Sequence, residues 1–113
     1  MAQYLVLIYE SEAAYAEGGQ EAWSEITQAH VEFGEKFADA VVGGNALQPT
    51  MTATSIRANG TEVTDAPFAE AKEALGGYYL IEAVDLDAAI EVAKQVPARF
   101  GGVEVRPVMV FEP

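Results

Sequence analysis

The stretch Tyr78–Pro97, which reads YYLIEAVDLDAAIEVAKQVP, contains the signals for a strand and for the helix that follows it. Its first part, YYLIEAV, is almost entirely apolar or aromatic, which predicts a buried strand over Tyr78–Val84. Asp85 is of a residue type that caps helices. The predicted helix reaches Val96 and stops at Pro97, since proline cannot continue a helix. Its apolar residues recur at helical spacing, at Leu86, Ala89, Ile90 and Ala93.

A second strand and a longer helix are predicted in the N-terminal part of the chain. The apolar run Gln3–Tyr9, QYLVLIY, is typical of a buried strand. Ser11–Gln20 contains two adjacent glycines near its end and is expected to be a loop. A helix is then predicted over Gln20–Ala40, because apolar and aromatic residues recur at helical spacing, at Trp23, Ile26, His30, Phe33 and Phe37.

Shorter elements are predicted in the middle and at the end of the chain. The dipeptide Asn59-Gly60 suits a two-residue type I′ turn, because both central residues of that turn need positive φ. Thr52–Ala58 and Thr61–Thr64 are therefore predicted to form a hairpin around it. The remaining predicted elements are a short strand over Asn45–Gln48, a loop over Asp65–Leu75 and a closing strand over Val103–Phe111.

The order of these elements predicts an α+β fold with one domain over residues 1–113. It suits a ferredoxin-like antiparallel sheet with two helices on one face and an inserted β-hairpin. The other face of such a sheet must be covered or polar, yet the predicted strands are rich in apolar residues. We therefore expect a homodimer that packs sheet against sheet, with some of the strand tyrosines, Tyr79 among them, on the uncovered face.

The composition of the chain limits the classes of function. The 113 residues include 18 acidic and 6 basic side chains, a net charge of −12, and no cysteine. Since the basic residues are scattered, direct binding of nucleic acid is not expected. No apolar run approaches the roughly 20 residues of a membrane span, and the N-terminus lacks the basic region of a secretory signal, so we expect a cytoplasmic protein. A folded monomer of 12.1 kDa is expected to expose about 6,000 Å².

His30 is the single histidine and lies within the apolar stripe of the first predicted helix. One interpretation is a core or interface imidazole with one hydrogen bond. The other is a general acid or base that lines a pocket between helix and sheet, because imidazole titrates near neutral pH. No spacing of His, Asp and Glu supports a metal site, and no glycine-rich signature indicates a cofactor.

A second candidate group of residues lies within Thr64–Glu73. Asp65, Glu70 and Lys72 are close together on one predicted loop. A carboxylate beside a lysine stays ionised and can position an imidazole or a substrate donor, and Phe68 can form the apolar wall of a pocket. The alternative is an ordinary turn followed by a solvated helical turn, with Phe68 in the core.

Segments along almost the whole chain carry a resemblance to a known family. They are YLVLIYE, the helix with His30 and Phe33, VGGNALQPT, VTDAPFAEAKEALGGYYLIEAVDLDAAIEVAKQVP and GGVEVRPVM. The sequence resembles the YCII-related superfamily, and within it the DGPF-domain branch. The family motif Asp-Gly-Pro-Phe corresponds to Asp65–Phe68, with Ala66 in place of the glycine. We expect Ala66 to have an ordinary backbone conformation rather than the positive φ that glycine permits.

This resemblance implies a ferredoxin-like protomer that dimerises into an α/β barrel. It also implies a site in which His30 pairs with an aspartate, matched here by Asp65. Such a carboxylate would raise the pKa of the imidazole unless burial dominates. The other expected substrate-binding residues, with Lys72 holding an anionic group of the substrate, are Phe68, Glu70, Lys72 and Tyr79.

The sequence leaves three functions open. The first is a small-molecule enzyme that uses acid/base chemistry at His30, and the second is a ligand-binding or regulatory module. The third is a structural homodimer. Family members occur beside, or fused to, extracytoplasmic-function sigma factors, so the resemblance also implies a sigma-factor-related protein partner. Neither a metal nor another cofactor is expected.

Overall fold

The computed structural model describes residues 1–112, which form two helices, a four-stranded sheet and a separate two-stranded sheet. The four-stranded sheet contains β1 (Ala2–Glu10), β2 (Val41–Ala46), β5 (Ala74–Ala83) and β6 (Gly101–Pro107), and the hairpin consists of β3 (Ser55–Arg57) and β4 (Glu62–Thr64). The helices are α1 (Glu12–Lys36) and α2 (Leu86–Ala93), and single 3-10 turns lie at Thr50–Thr52 and Ala58–Gly60.

The main sheet has the strand order β2-β5-β1-β6, and every neighbouring pair is antiparallel. Its central strand β1 places Val6 opposite Tyr79 on β5 and opposite Val105 on β6. The predicted α+β class, with two helices, an antiparallel sheet and an inserted hairpin, is therefore confirmed. The dimer and the barrel stay predictions.

The hydrophobic core lies between the sheet and both helices. Alternate residues of β1, from Tyr4 through Val6 to Ile8, point to the same face and meet Phe33 from α1 and Ala89 from α2. Val6 and Ile81 are the large side chains that are fully buried, and burial of each contributes roughly 1.5–3 kcal/mol. The two helices thus cover one face of the sheet, as predicted. No helix within residues 1–112 is long and apolar enough to cross a membrane.

Helix α1 begins at Glu12, so the predicted loop over Ser11–Gln20 is wrong. The Ser11 hydroxyl caps the helix by accepting a hydrogen bond of 3.1 Å from the Ala14 N–H. Gly19 has a non-helical backbone, with φ of 63° and ψ of −154°, and marks a kink rather than the start of the helix. The helical segment before this kink is stabilised because its residue Tyr15 is buried.

Other predicted boundaries shift by a few residues. Asp85 is confirmed as the N-cap of α2, since its carboxylate accepts a hydrogen bond from the Ala88 N–H at 2.9 Å. The regular helix ends at Ala93 instead of Val96. Strand β5 begins at Ala74, before the glycine pair that was predicted to close a loop. Gly77 fits in this strand because a Cβ there would lie only 3.0 Å from a carbonyl oxygen of β2.

The turn of the hairpin differs from the predicted two-residue turn at Asn59-Gly60. The last paired residues are Arg57 and Glu62, so a longer loop joins the strands. Positive φ occurs at Ala58 (54°) and Asn59 (53°) as well as at Gly60 (92°). The prediction of a two-residue turn considered only Asn59 and Gly60, whose residue types favour positive φ. The observed loop also gives Ala58 a positive φ.

Tyr79 lies on the helix-covered face, which corrects its prediction as a residue of the uncovered face. Because Tyr79 is opposite Val6 in the sheet, both side chains point toward the helices. The uncovered face instead carries Leu5, Leu7 and Tyr78, with Tyr78 opposite Leu7. Which tyrosine lies on the uncovered face depends on strand register, because a shift of one residue exchanges the two faces.

Candidate functional site

A cavity of about 810 Å³ lies between α1 and the adjoining parts of β2 and β5. Its walls are mostly apolar and aromatic, and His30 and Tyr79 are among the polar residues of the lining. A volume of this order accommodates a small organic ligand. Gly44, Gly76 and Gly77 form part of its lining on the sheet side.

His30 and Tyr79 are paired inside this cavity. The His30 Nδ1 atom lies 2.8 Å from the Tyr79 hydroxyl, and the two ring centroids are 5.7 Å apart. Tyr79 is held in turn by Phe33, whose ring centroid is 4.9 Å away. The helical stripe of α1 aims His30 at the sheet, and the register of β5 aims Tyr79 at the helix, so the contact follows from tertiary packing of the two elements.

Burial sets the protonation state of this pair. It lowers the pKa of His30 below the ordinary value of 6.5, and the nearby negative charge of Glu10 opposes that effect only in part. Burial also raises the pKa of Tyr79. Both side chains are therefore neutral near pH 7. A rise of the His30 pKa was predicted unless burial dominates, and within the single chain burial dominates.

The pairing leaves Nε2 as the ring nitrogen available to a ligand. A neutral imidazole carries its proton on either nitrogen, and a phenol hydroxyl both donates and accepts hydrogen bonds. The Tyr79 hydroxyl can therefore satisfy Nδ1 in either tautomer of His30. As a result, Nε2 can give or take a proton while the His30–Tyr79 hydrogen bond is kept.

Two glutamates add negative charge to the cavity. Glu10 accepts hydrogen bonds from the Tyr15 hydroxyl at 2.6 Å and from the Phe100 N–H at 3.1 Å. Glu12 accepts from the Thr50 N–H at 2.9 Å and from its hydroxyl at 2.5 Å. Burial and the bond to Glu10 raise the pKa of Tyr15, so its phenol stays neutral. Within residues 1–112, no lysine or arginine lines the cavity.

An aromatic wall closes one side of the cavity. Tyr15 and Trp23 are stacked, with ring centroids 4.7 Å apart and an angle of 24° between the rings. The Phe100 ring meets Tyr15 edge-on at 4.8 Å. Such rings present flat, polarisable surfaces that favour aromatic or cationic groups of a ligand.

Comparison with known proteins assigns the chain to a family. The profile of the YCII-related domain matches residues 2–112. The chain belongs to the YCII-related family. An uncharacterized protein of Rhizobium meliloti (strain 1021) is 33% identical over 117 residues, which cover 97% of this chain and 94% of that protein. The predicted family is confirmed, whereas the DGPF branch within it stays a prediction.

Of the predicted site residues, this YCII-related domain brings together His30 and Tyr79. The others, Asp65, Phe68, Glu70 and Lys72, are exposed and lie outside the lining of the cavity in the same chain. They follow the hairpin, which forms its own two-stranded sheet. The pairing of His30 with Asp65 therefore stays a prediction, and the carboxylate that acts on His30 within one chain is Glu10.

The segment with the predicted Asp-Gly-Pro-Phe motif has a local structure of its own. The Ser55 hydroxyl donates a hydrogen bond to the Ala66 carbonyl. Ala66 is absent from the positive-φ residues, so its expected ordinary backbone is confirmed. The Arg57 guanidinium lies 4.3 Å from the centroid of the Phe68 ring, and the ring is exposed instead of forming a cavity wall.

Sequence reasoning missed Glu10, Tyr15 and the stacking of Tyr15 on Trp23. Glu10 follows the apolar run Gln3–Tyr9 that predicted the strand, and Tyr15 lies in the segment that was predicted to be a loop. One signal was present: Tyr15, Ala22 and Ile26 are seven and four residues apart, which continues the helical stripe toward the N-terminus. The adjacent Gly18 and Gly19 concealed this continuation.

Proposed function

We propose that this YCII-related protein binds a small, mostly apolar molecule in the cavity and uses His30 as an acid or base. The observation that supports the proposal is the 2.8 Å contact between His30 Nδ1 and the Tyr79 hydroxyl within the cavity. Tyr79 is the positioning residue of this pair. A base that is neutral near pH 7 is ready to accept a proton from a ligand, and burial provides that neutral state.

The walls of the cavity favour a ligand that is neutral or cationic. Glu10 and Glu12 contribute negative charge, and no lysine or arginine of residues 1–112 is part of the lining. An anionic ligand would meet repulsion in a partly desolvated site. Lys72, which the sequence predicts to hold an anionic group, lies outside the lining in the same chain, and that role stays a prediction.

Ligand binding without chemistry is the alternative function of the same cavity. The aromatic pair Tyr15 and Trp23 favours this role, since stacked rings recognise a flat ligand without any proton transfer. A regulatory module with a sigma-factor-related protein partner would use the cavity in this way. Recovery of the bound ligand unchanged after long incubation would support binding alone, and its conversion would support an enzyme.

We also propose a homodimer. The uncovered sheet face carries half-buried Leu5 and Leu7 in the single chain, and a second sheet packed on them would remove this apolar surface from water. A barrel formed by two such sheets follows from that arrangement. Light scattering at micromolar concentration should give twice the mass of 12.1 kDa, and a monomer would contradict the proposal.

The ligand class is tested with benzyl alcohol, benzylamine and benzoate, which share a ring and differ in charge. NMR signals of the single imidazole report binding at His30. We expect the neutral and cationic probes to shift these signals and benzoate to have a much smaller effect. His30→Gln should weaken binding of benzyl alcohol, which is followed on the NMR signals of the ligand because this variant has no imidazole. Glu35→Gln, on an exposed position of α1 outside the lining, is the matched control. Equal binding of benzoate, or unchanged binding by His30→Gln, would contradict the proposed function.

A further inference from the structure

The hairpin and the loop after it, residues 52–73 and here named the arm, stand apart from the rest of their own chain. Strands β3 and β4 pair only with each other. Ile56 lies opposite Val63, and these apolar side chains are 56% and 64% exposed. A two-stranded hairpin is at best marginally stable in water by itself. The arm therefore has an apolar face that nothing within its own chain covers.

The surface of the whole chain is larger than a compact monomer requires. Its accessible area is 7928 Å², whereas about 6,000 Å² is expected from its mass. The radius of gyration is 15.7 Å, compared with about 13 Å for a compact domain of this length. The excess of about 1,900 Å² exceeds the roughly 800 Å² that each partner hides in a standard interface. The excess surface is thus large enough for an interface with a second copy of this chain.

The mouth of the cavity also exposes apolar side chains. Trp23, which is 55% exposed, and the exposed Met51 and Val31 line it together. The carboxylates of Glu10 and Glu12 lie in the same lining, without a basic side chain among the described residues. The arm carries apolar Ile56 and Val63 opposite each other on one face. The exposed face of the arm and the mouth of the cavity are thus both apolar.

The base of the arm is fixed in a position that leaves its own cavity uncovered. Glu12 at the start of α1 holds the Thr50 N–H at 2.9 Å. The Leu47 N–H donates to the Gly76 carbonyl at 2.8 Å, which ties the two connections of the arm together. While these contacts hold, both ends of the arm stay anchored beside α1 and the sheet. A second copy can approach the cavity with these contacts intact.

From these observations we infer that the arm of each copy packs across the mouth of the other copy's cavity, with its Ile56–Val63 face against the apolar rim around Trp23. This inference rests on the proposed homodimer. The site of one copy is then completed by the other. Segment 65–72, which the sequence placed at the site, gains access to the cavity of the second copy although it lies outside the cavity of its own.

Trp23 is the single tryptophan of the chain, so its quenching by acrylamide reports coverage of the cavity mouth. The variant Ile56→Asp/Val63→Asp should raise the quenching constant of the dimer about twofold, because a docked interface excludes water from a ring that is otherwise 55% exposed. Thr64→Asp adds a charge on the opposite face of β4 and is the matched control, with quenching unchanged. Circular dichroism verifies that each variant is folded.

A mixed dimer determines which copy supplies the arm. The double variant, which keeps Trp23, is combined with an excess of Trp23→Phe chains that have an intact arm and no tryptophan. Restored protection of Trp23 supports docking on the other copy. Formation of mixed dimers without restored protection overturns it, because the arm then acts on its own chain. Equal quenching in wild type and double variant also overturns it.

These outcomes are separable from those of the proposed function. If the wild type is a monomer, the dimer and the docked arm both fall, and the response of the His30 signals to benzyl alcohol still decides the acid/base proposal. If His30→Gln binds benzyl alcohol normally, the acid/base proposal falls. The quenching experiment then still decides where the arm lies.

Discussion

The pairing of His30 with Tyr79 is best tested by removal of a single hydroxyl. Tyr79→Phe keeps the ring against Phe33, whose centroid lies 4.9 Å away, and removes only the partner of His30 Nδ1. We expect the variant to fold normally and to lose part of the free energy of unfolding. The loss should be about 1 kcal/mol, the usual net value of one partly buried hydrogen bond.

The expected change in melting temperature follows from chain length. Unfolding entropy is about 2.1 cal/mol/K per residue, and the chain has 113 residues. The total of about 240 cal/mol/K converts a loss of about 1 kcal/mol into a decrease of about 4 °C. Tyr78→Phe is the matched control, since its hydroxyl accepts from Asn45 Nδ2 at 3.0 Å in an exposed position. Its effect should stay within about 0.5 kcal/mol.

A double-mutant cycle with His30→Leu isolates the pair. Denaturant unfolding of wild type, Tyr79→Phe, His30→Leu and the double variant gives the coupling free energy. We expect about 0.5–1.5 kcal/mol, because the hydrogen bond is lost only once in the double variant. A coupling that is indistinguishable from zero would refute the pairing of His30 with Tyr79. It would also remove the positioning role assigned to Tyr79.

Other perturbations test the electrostatics and the backbone. NMR titration should give a His30 pKa below 6.5, and Glu10→Gln should lower the pKa further, because the Glu10 charge favours the imidazolium. Because the pKa of His30 is lower in the folded state, the contribution of neutral His30 to the free energy of unfolding is complete above pH 6.5. It is lost as the pH falls from there through the folded pKa. A loss of this contribution on raising the pH would contradict the prediction. Gly101→Ala should destabilise by about 1–3 kcal/mol, because its Cβ would overlap a carbonyl oxygen of β1. Gly102→Ala, with open space around its Cβ, should change the stability by less than about 0.5 kcal/mol, and equal effects would show the strand contact to be misplaced. Ala66→Gly should cost a few tenths to about 1 kcal/mol, because Ala66 has an ordinary φ, and a higher melting temperature would contradict that conformation.

The predicted contribution of Asp65 has a separate test. Asp65→Asn should alter the pKa of His30 only if the arm of a second copy brings the carboxylate near the imidazole. Glu35→Gln, on an exposed position of α1, is the control for general charge removal. An unchanged His30 pKa in Asp65→Asn, measured on the dimer, would contradict the predicted pairing of His30 with Asp65.

Local physical chemistry explains the predictions that succeeded. The apolar run of β1 and the cap at Asp85 act over a few residues, and both are observed. Start and end points of elements depend on competition between local preference and packing. The glycine pair in α1 favours a loop, but the Ser11 cap and the buried Tyr15 extend the helix across it. The sequence alone contains no measure of which preference prevails.

The sequence by itself determined the α+β class, the helical stripe that holds His30 and the family, because these depend on the spacing of residue types along the chain. Tertiary structure decided which residue His30 meets. Strand register turned Tyr79 toward the helices, and desolvation made the imidazole neutral. Tertiary structure also placed Asp65 on the arm, outside the cavity of its own chain. Register, burial and the distance between segments arise from contacts between residues far apart in sequence, and residue spacing does not encode them directly.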